Sequence, residues 1–206
     1  MSQSRRYKKK KSAGKAILAW IIVLAILAAA VFVFVSVFYE DAKKKLDEMN
    51  YPRTYSTYVE KAAKDYDLDP ALIYAVIHTE SGFDPKAESG VGAKGVMQMM
   101  PSSFEWLQEQ RGCAGQYTED DLFDPEICID YGSYLLKYFY DYYGTERSAI
   151  AAYNAGFVVS DWLNDTKYSS DGKNLDSIPY PETENYVDKV EGAKEMYIKL
   201  YYSQSN

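Results

Sequence analysis

The chain has 206 residues with 30 acidic and 23 basic side chains, two Cys, one His and 21 Tyr, for a net charge of −7. That is about one domain's worth of chain. One His and two Cys are too few for a Cys/His structural zinc site, and a His-based catalytic triad would have to use His78. The charge is unevenly divided. Arg5, Arg6, Lys8, Lys9, Lys10, Lys11 and Lys15 all precede the first acid, Glu40, so residues 1–39 carry +7. The other 16 bases face all 30 acids, which leaves −14 on the remainder. So acidic a body argues against nucleic-acid binding, which calls for a basic patch on the folded domain.

Taken in chain order, residues 1–15 form a basic tail and Ala16 to Tyr39 is a run of 24 uncharged, almost wholly apolar residues. As a helix it reaches roughly 36 Å at about 1.5 Å per residue, enough to cross a hydrocarbon core of about 30 Å. The basic block before it puts the N-terminus in the cytoplasm and everything after Tyr39 outside. A cleaved signal peptide is the rival reading, with Ala28, Ala29 and Ala30 as small residues for a peptidase. The apolar run outlasts an ordinary signal-peptide core of about 7–15 residues, which favours an uncleaved anchor. Residues 40–53 read as a charged, helix-compatible stalk, and residues 54–206 as the globular domain. Cys113 and Cys128 enclose a short loop, and an oxidising exterior permits them a disulfide. Two free thiols are the alternative.

The domain reads as mainly α. Behind Thr54 as a candidate cap, Tyr55, Tyr58, Val59, Ala62, Ala63 and Tyr66 recur at helical spacing. Asp69 followed by Pro70 is a cap and first-turn signature opening the next helix, and Asp124 with Pro125 repeats it. The second of these helices places Ile127, Tyr131, Tyr134, Leu135, Tyr138 and Tyr142 on one face and ends at Gly144. Pro101 opens a helix in which Phe104 and Leu107 pack. Further helices pass through Ile150 and Tyr153, run over 158–163, and close the chain over about 182–202. Irregular loops fall near 83–95, 112–123 and 165–181.

One carboxylate breaks the pattern. Ile73, Val76 and Ile77 form an apolar stripe in the helix behind Pro70, and the next position on it is Glu80. Gly82 can end this helix in the left-handed conformation, with Phe83 as the accompanying apolar contact. Glu80 then lies in the last turn. There the helix dipole disfavours the ionised form by only about 0.3–1 kcal/mol, whereas burial can raise a carboxyl pKa by roughly 3–5. Burial must dominate if Glu80 is to stay protonated near neutral pH, as a general acid requires. A solvated Glu at a helix end is the plainer alternative. His78 points off this stripe and reads as a packing or surface residue.

At this point the residues resemble a known family. Glu80-Ser81-Gly82-Phe83-Asp84-Pro85, then Ala87-Glu88-Ser89, Gly92 to Pro101, Ala152-Tyr153-Asn154-Ala155-Gly156 and Pro181 to Val187 look like the successive motifs of the soluble lytic transglycosylases of the lysozyme superfamily. The resemblance implies a lysozyme-like domain; it does not extend to the single N-terminal transmembrane helix or the stalk, which are read from the apolar run and the charges. It implies cleavage of the β-1,4 bond between N-acetylmuramic acid and N-acetylglucosamine in peptidoglycan, leaving a 1,6-anhydromuramoyl end. Glu80 matches the single catalytic acid/base. Ser81, Ser89, Met97, Gln98, Tyr153, Asn154 and Tyr186 match site residues: Ser89 and Tyr186 to orient Glu80, Gln98 to bond acetamido and hydroxyl groups, Met97 as an apolar wall, and Tyr153 with Asn154 against sugar. Read without the resemblance, Met97 is ordinary core, Tyr153 and Asn154 a capping turn, and Tyr186 a core aromatic. Gly90, Gly92 and Gly95 would let a loop approach sugar closely. Asp84 stands where the family often has Asn, and Glu88 and Lys94 are charged additions to the motif. Two acids near Glu80 keep open a hydrolytic muramidase with Asp84 or Glu88 as base. A non-catalytic wall-binding scaffold is the other alternative. No metal or cofactor fingerprint is present. The expected partners are peptidoglycan strands, the membrane and an envelope-spanning secretion, conjugation or sporulation machine.

Overall fold

The computed structural model describes residues 3–203, with side chains from Gly14. The first two residues of the basic tail, the side chains of its Arg5 to Lys11 cluster, and residues 204–206 lie outside the described residues. The chain forms two compact units, residues 1–50 and 51–206. The first is one helix, α1 (Gln3–Asn50). By length and composition its stretch from Gly14 to Asn50 is able to cross a membrane. Its apolar side chains, Trp20, Phe32 and Phe38 among them, are uncovered. The expected stalk is not a separate element: the helix runs through it to Asn50, and the second unit starts at Tyr51 rather than at residue 54.

The second unit contains α2 (Ser56–Tyr66), α3 (Pro70–Ser81), α4 (Pro101–Gln110), α5 (Pro125–Tyr143), α6 (Glu146–Ala155), α7 (Val159–Asn164) and α8 (Pro181–Tyr197). Short 3-10 turns cover Glu119–Phe123 and Gly156–Val158, and a wider π turn, Ile198–Tyr202, extends α8. No strand longer than an isolated bridge occurs among the described residues. The Asp-Pro signatures work as expected. Asp69 accepts the Ala71 N–H at 2.9 Å and Asp124 accepts that of Glu126 at 2.8 Å, each beside Pro in the first turn. The start of α2 differs: Thr54 does not cap it, and Tyr55 takes the capping position at φ 62° with no side-chain cap. The Tyr55 ring packs against the core and its hydroxyl reaches the Phe83 carbonyl at 3.4 Å, so tertiary contact sets this end.

Helix α3 is the spine. Ala71 to Ile77 are all buried, and the helix packs on α8, while α5 lies against α2 and α6. In α5 the buried face is not the tyrosine stripe. It comprises Cys128, Ile129, Tyr131, Gly132, Ser133, Leu135, Leu136 and Phe139, leaving Tyr134, Tyr138 and Tyr142 on the rim. Tyrosine carries both an apolar ring and a polar tip, so a tyrosine stripe marks a boundary as readily as a core. Phe104 and Leu107 are buried as expected.

Two basic side chains fasten the loops through long-range ion pairs. Lys94 is only 7% exposed, with Nζ 3.1 Å from carboxylates of Glu119 and Asp120. This ties the 83–100 loop to the following 3-10 turn. Arg111 meets Asp130 at 2.6 Å and also donates to the Tyr66 hydroxyl, joining the 111–118 loop to α5 and α2. Of the two readings left open for Cys113 and Cys128, the structure has free thiols. Cys113 Sγ lies 3.3 Å from the Tyr131 hydroxyl, and buried Cys128 accepts the Met97 N–H at 3.4 Å.

Candidate active site

Helix α3 ends at Gly82, which adopts φ 58° and donates its N–H to the His78 carbonyl at 3.2 Å. The last turn therefore holds Glu80 as a continuation of the apolar stripe, and the carboxyl is part-buried. From α8, the buried Tyr186 donates its hydroxyl to Glu80 Oε1 at 2.7 Å. Burial raises the Glu80 pKa from 4.5 to about 7, against the opposing pull of the Tyr186 hydrogen bond, which favours the ionised form. No second carboxylate contributes to this shift. The titratable groups that feel the Glu80 charge are themselves held neutral. Burial, reinforced by the Glu80 charge, raises the Tyr153 and Tyr186 phenols well above their ordinary value. Burial likewise pushes the Cys128 thiol up to about 12, with a smaller contribution from Glu80. The result is a carboxyl near the midpoint of its titration whose titratable neighbours stay uncharged.

The other expected residues are engaged with loop and helix partners of their own, most in roles different from sugar contact. Tyr153 donates its hydroxyl to the Met97 carbonyl at 2.9 Å, joining α6 to the loop. Asn154 is exposed and its Oδ1 accepts the Thr183 hydroxyl at 2.8 Å, which bridges α6 to α8. Met97 has no exposed side chain and lies against Gly132, where a Cβ would come within 2.6 Å of its sulfur; it is core, not a cleft wall. Gln98, at φ 47°, spends both amide protons on the carbonyls of Ala87 and Gly95, at 3.1 and 3.0 Å. It fastens the loop, and only its amide oxygen is left to accept a bond. Ser81 donates to the Val96 carbonyl at 2.8 Å and accepts the Phe83 N–H at 3.1 Å, pinning the helix end to the loop. Ser89 accepts the Ala93 N–H at 2.9 Å and makes no bond to Glu80, so orienting the acid falls to Tyr186 alone among the described residues. His78 stacks on Tyr51 with ring centroids 4.8 Å apart, a packing role.

Three contributors escaped the sequence reading. Cys128 accepts the Met97 N–H and so fixes the loop from the core, a role hidden by reading it as a partner for Cys113. Thr183 stands inside the quoted closing segment but signalled no partner. Gly132, on α5, admits Met97 only because it lacks a Cβ.

Replacing Tyr186 with Phe removes the hydrogen bond that stabilises the carboxylate. The Glu80 pKa then rises further, and any activity needing the protonated acid loses its alkaline limb at a higher pH than in the parent chain. A pH profile of kcat/KM checks this, and a limb that stays in place or moves to lower pH contradicts the assigned bond.

A mainly helical, lysozyme-like domain that buries a carboxyl at the end of its core helix defines the class. Residues 57–175 match the family model described as Transglycosylase SLT domain, and the chain belongs to that family. Among its relatives, the soluble lytic murein transglycosylase of Escherichia coli K12 is 32% identical over 146 residues, 69% of this chain and 23% of its own length. The membrane-bound lytic murein transglycosylase C of Actinobacillus succinogenes is 30% identical over 170 residues, 72% of this chain and 48% of its own. Among solved structures, the 70 kDa soluble lytic transglycosylase SLT70 of Escherichia coli superposes with a TM-score of 0.67 at 28% identity, over 77% of this chain and 26% of that one. An inactive glutamate-to-glutamine mutant of lytic transglycosylase Slt from Pseudomonas aeruginosa superposes with 0.65 at 30% identity, over 74% and 25%. This chain thus spans about a quarter of the length of the soluble relatives.

Proposed function

We propose that this protein is a peptidoglycan lytic transglycosylase tethered to a membrane by α1, with Glu80 as its acid/base. The observation that supports this most is a carboxyl whose pKa burial lifts to about 7 while Tyr186 holds one oxygen in place. Protonated, Glu80 delivers its proton to the glycosidic oxygen between N-acetylmuramic acid and N-acetylglucosamine as the bond to the muramoyl C1 breaks. The resulting carboxylate then takes the proton of the muramoyl C6 hydroxyl, whose oxygen attacks C1 to close the 1,6-anhydro ring. One group serves both transfers, and a pKa near the working pH suits it to each. The nucleophile belongs to the same sugar, so its effective concentration is already high and no enzyme nucleophile is needed. The family membership supports the substrate, and the inactive glutamate-to-glutamine mutant in a structural neighbour supports dependence on a single carboxyl.

The hydrolytic alternative requires a base near Glu80. Asp84 is exposed and accepts the Lys86 N–H at 2.9 Å, and Glu88 is exposed in the loop. Neither contributes to the Glu80 shift, which weighs against a paired-carboxylate mechanism. The basic tail before the apolar run supports a cytoplasmic N-terminus, with residues 51–206 facing the wall. Mass analysis of the fragments released by the full chain from purified peptidoglycan tests the reading. Muramoyl ends one water lighter than the reducing form are expected. Reducing ends alone would replace the transglycosylase by a hydrolase, and no fragments at all by a scaffold.

A further inference from the structure

The aromatic rings on the rim of α5 take no part in the chemistry above. Tyr138 and Tyr142, one turn apart, stack with centroids 6.3 Å apart and planes 17° from parallel. Phe157 meets both edge-on, at 6.2 and 5.7 Å, and Trp106 closes the far end against Tyr138 at 5.0 Å. The Tyr143 hydroxyl, 3.1 Å from that of Ser160, fastens the turn carrying Phe157 to α5. Even so, Tyr142 is 58% exposed and Phe157 49%. A rigid, contiguous array of exposed rings marks a binding surface more often than chance.

We infer that this ladder is an additional binding surface for the glycan strand, carried on the chain just beyond Tyr153 and Asn154; the inference rests on the function proposed above. Continuity is the first argument. Phe157 lies three residues beyond Asn154, across the Gly156 turn at φ 74°, so the ladder follows directly on the segment that Tyr153 and Asn154 fasten to the loop and to α8. Chemistry is the second. The face of an aromatic ring is electron-rich, so the axial C–H bonds of a pyranose settle on it, while tyrosine hydroxyls remain free to bond sugar hydroxyls. Charge is the third. The depression of about 330 Å³ beside Tyr134, Tyr138 and Tyr142 contains Lys137 and Asp141, which pair with each other along the helix. The surface is therefore neutral, which suits the sugar backbone and offers no unpaired cation to an anionic lipid surface.

The test uses the full chain in detergent, carrying Glu80→Gln so that strands bind uncut. It is titrated with peptide-free glycan strands and, separately, with a peptidoglycan tetrasaccharide. Adding Tyr142→Ala and Phe157→Ala is expected to weaken binding of long strands about tenfold, the combined value of two ring contacts, with a much smaller effect on the tetrasaccharide. Tyr142→Ala alone, at an exposed position that cannot unfold the domain, should give part of this loss. Tyr180→Ala, which removes an exposed ring packed on Trp162, controls for general loss of aromatic surface. Equal losses on both lengths, no loss on either, or loss of co-sedimentation with phosphatidylglycerol vesicles in place of strand binding would each overturn the inference. Cleavage persisting in the Glu80→Gln background would instead contradict the catalytic assignment, so the two failures are separable.

Discussion

Glu80→Gln is expected to abolish peptidoglycan cleavage and at the same time to stabilise the protein above neutral pH. The amide keeps the shape of the side chain and can still accept the Tyr186 hydroxyl, yet it has no proton to deliver. Loss of general acid/base catalysis costs about 10²–10⁴-fold in rate, and here one group performs both transfers. The stability gain follows from the direction of the shift. Below pH 4.5 Glu80 is protonated whether the chain is folded or unfolded. Between 4.5 and about 7 the folded state keeps a proton that the unfolded state has released, so stability falls as pH rises through that window. Above it the folded protein bears the full penalty of a buried carboxylate, about 3–4 kcal/mol from the separation of the two values. The Gln variant escapes that penalty, which in a domain of this size corresponds to a melting temperature roughly 6–16 °C higher at pH 8 and little changed at pH 4. Turnover on purified peptidoglycan and thermal melts at the two pH values check both halves. Wild-type cleavage, or a melting temperature that drops at pH 8, contradicts the account.

Gly95→Ala is expected to be the most damaging single-methyl addition in the domain. Gly95 sits at φ +76°, where an L-residue pays about 1–2 kcal/mol, and its new Cβ would lie 2.0 Å from the Leu122 carbonyl oxygen and 2.8 Å from Cys128 Sγ. The first of these atoms is backbone, so no rotamer change relieves the clash. The 83–100 loop must lift away from the Glu119–Phe123 turn, loosening the Gln98 and Ser81 fastenings that seat it beside Glu80. A loss above about 4 kcal/mol, or failure to fold, is expected. Gly92→Ala is the matched comparison: φ +87° with nothing within 4 Å, and so only the backbone strain of about 1 kcal/mol. Equal unfolding midpoints in urea for the two variants would show that the close approach at Gly95 is not a constraint.

What could be read before the structure divides by range. The Asp69-Pro70 and Asp124-Pro125 starts and the Gly82 and Gly144 stops are decided within a turn of the helix, so the residues themselves reveal them. The position of Glu80 on an apolar stripe was legible for the same reason. Which face of α5 is covered was not legible, because Tyr131 and Leu135 lie on the border between two stripes, and tyrosine periodicity does not say which one is buried. Thr54 offered a local cap that the packing of Tyr55 overrode. The loop residues were harder still. Ser, Gln and Met suit a sugar as well as they suit a neighbouring carbonyl or a helix without a Cβ, and only three-dimensional proximity distinguishes these uses. The partners of Ser81, Gln98 and Met97 are such cases, as is Lys94, read as a charged intrusion and found clamped by Glu119 and Asp120.

Titration of the Glu80 side-chain carboxyl by carbon NMR, in the full chain with selectively labelled glutamate and assigned by comparison with the Glu80→Gln variant, tests the central claim most directly. A midpoint near 7 is expected, moving higher when Tyr186 is replaced by Phe. A midpoint near 4.5, unmoved by that replacement, would mean that the carboxyl is solvated and has no proton to give at neutral pH.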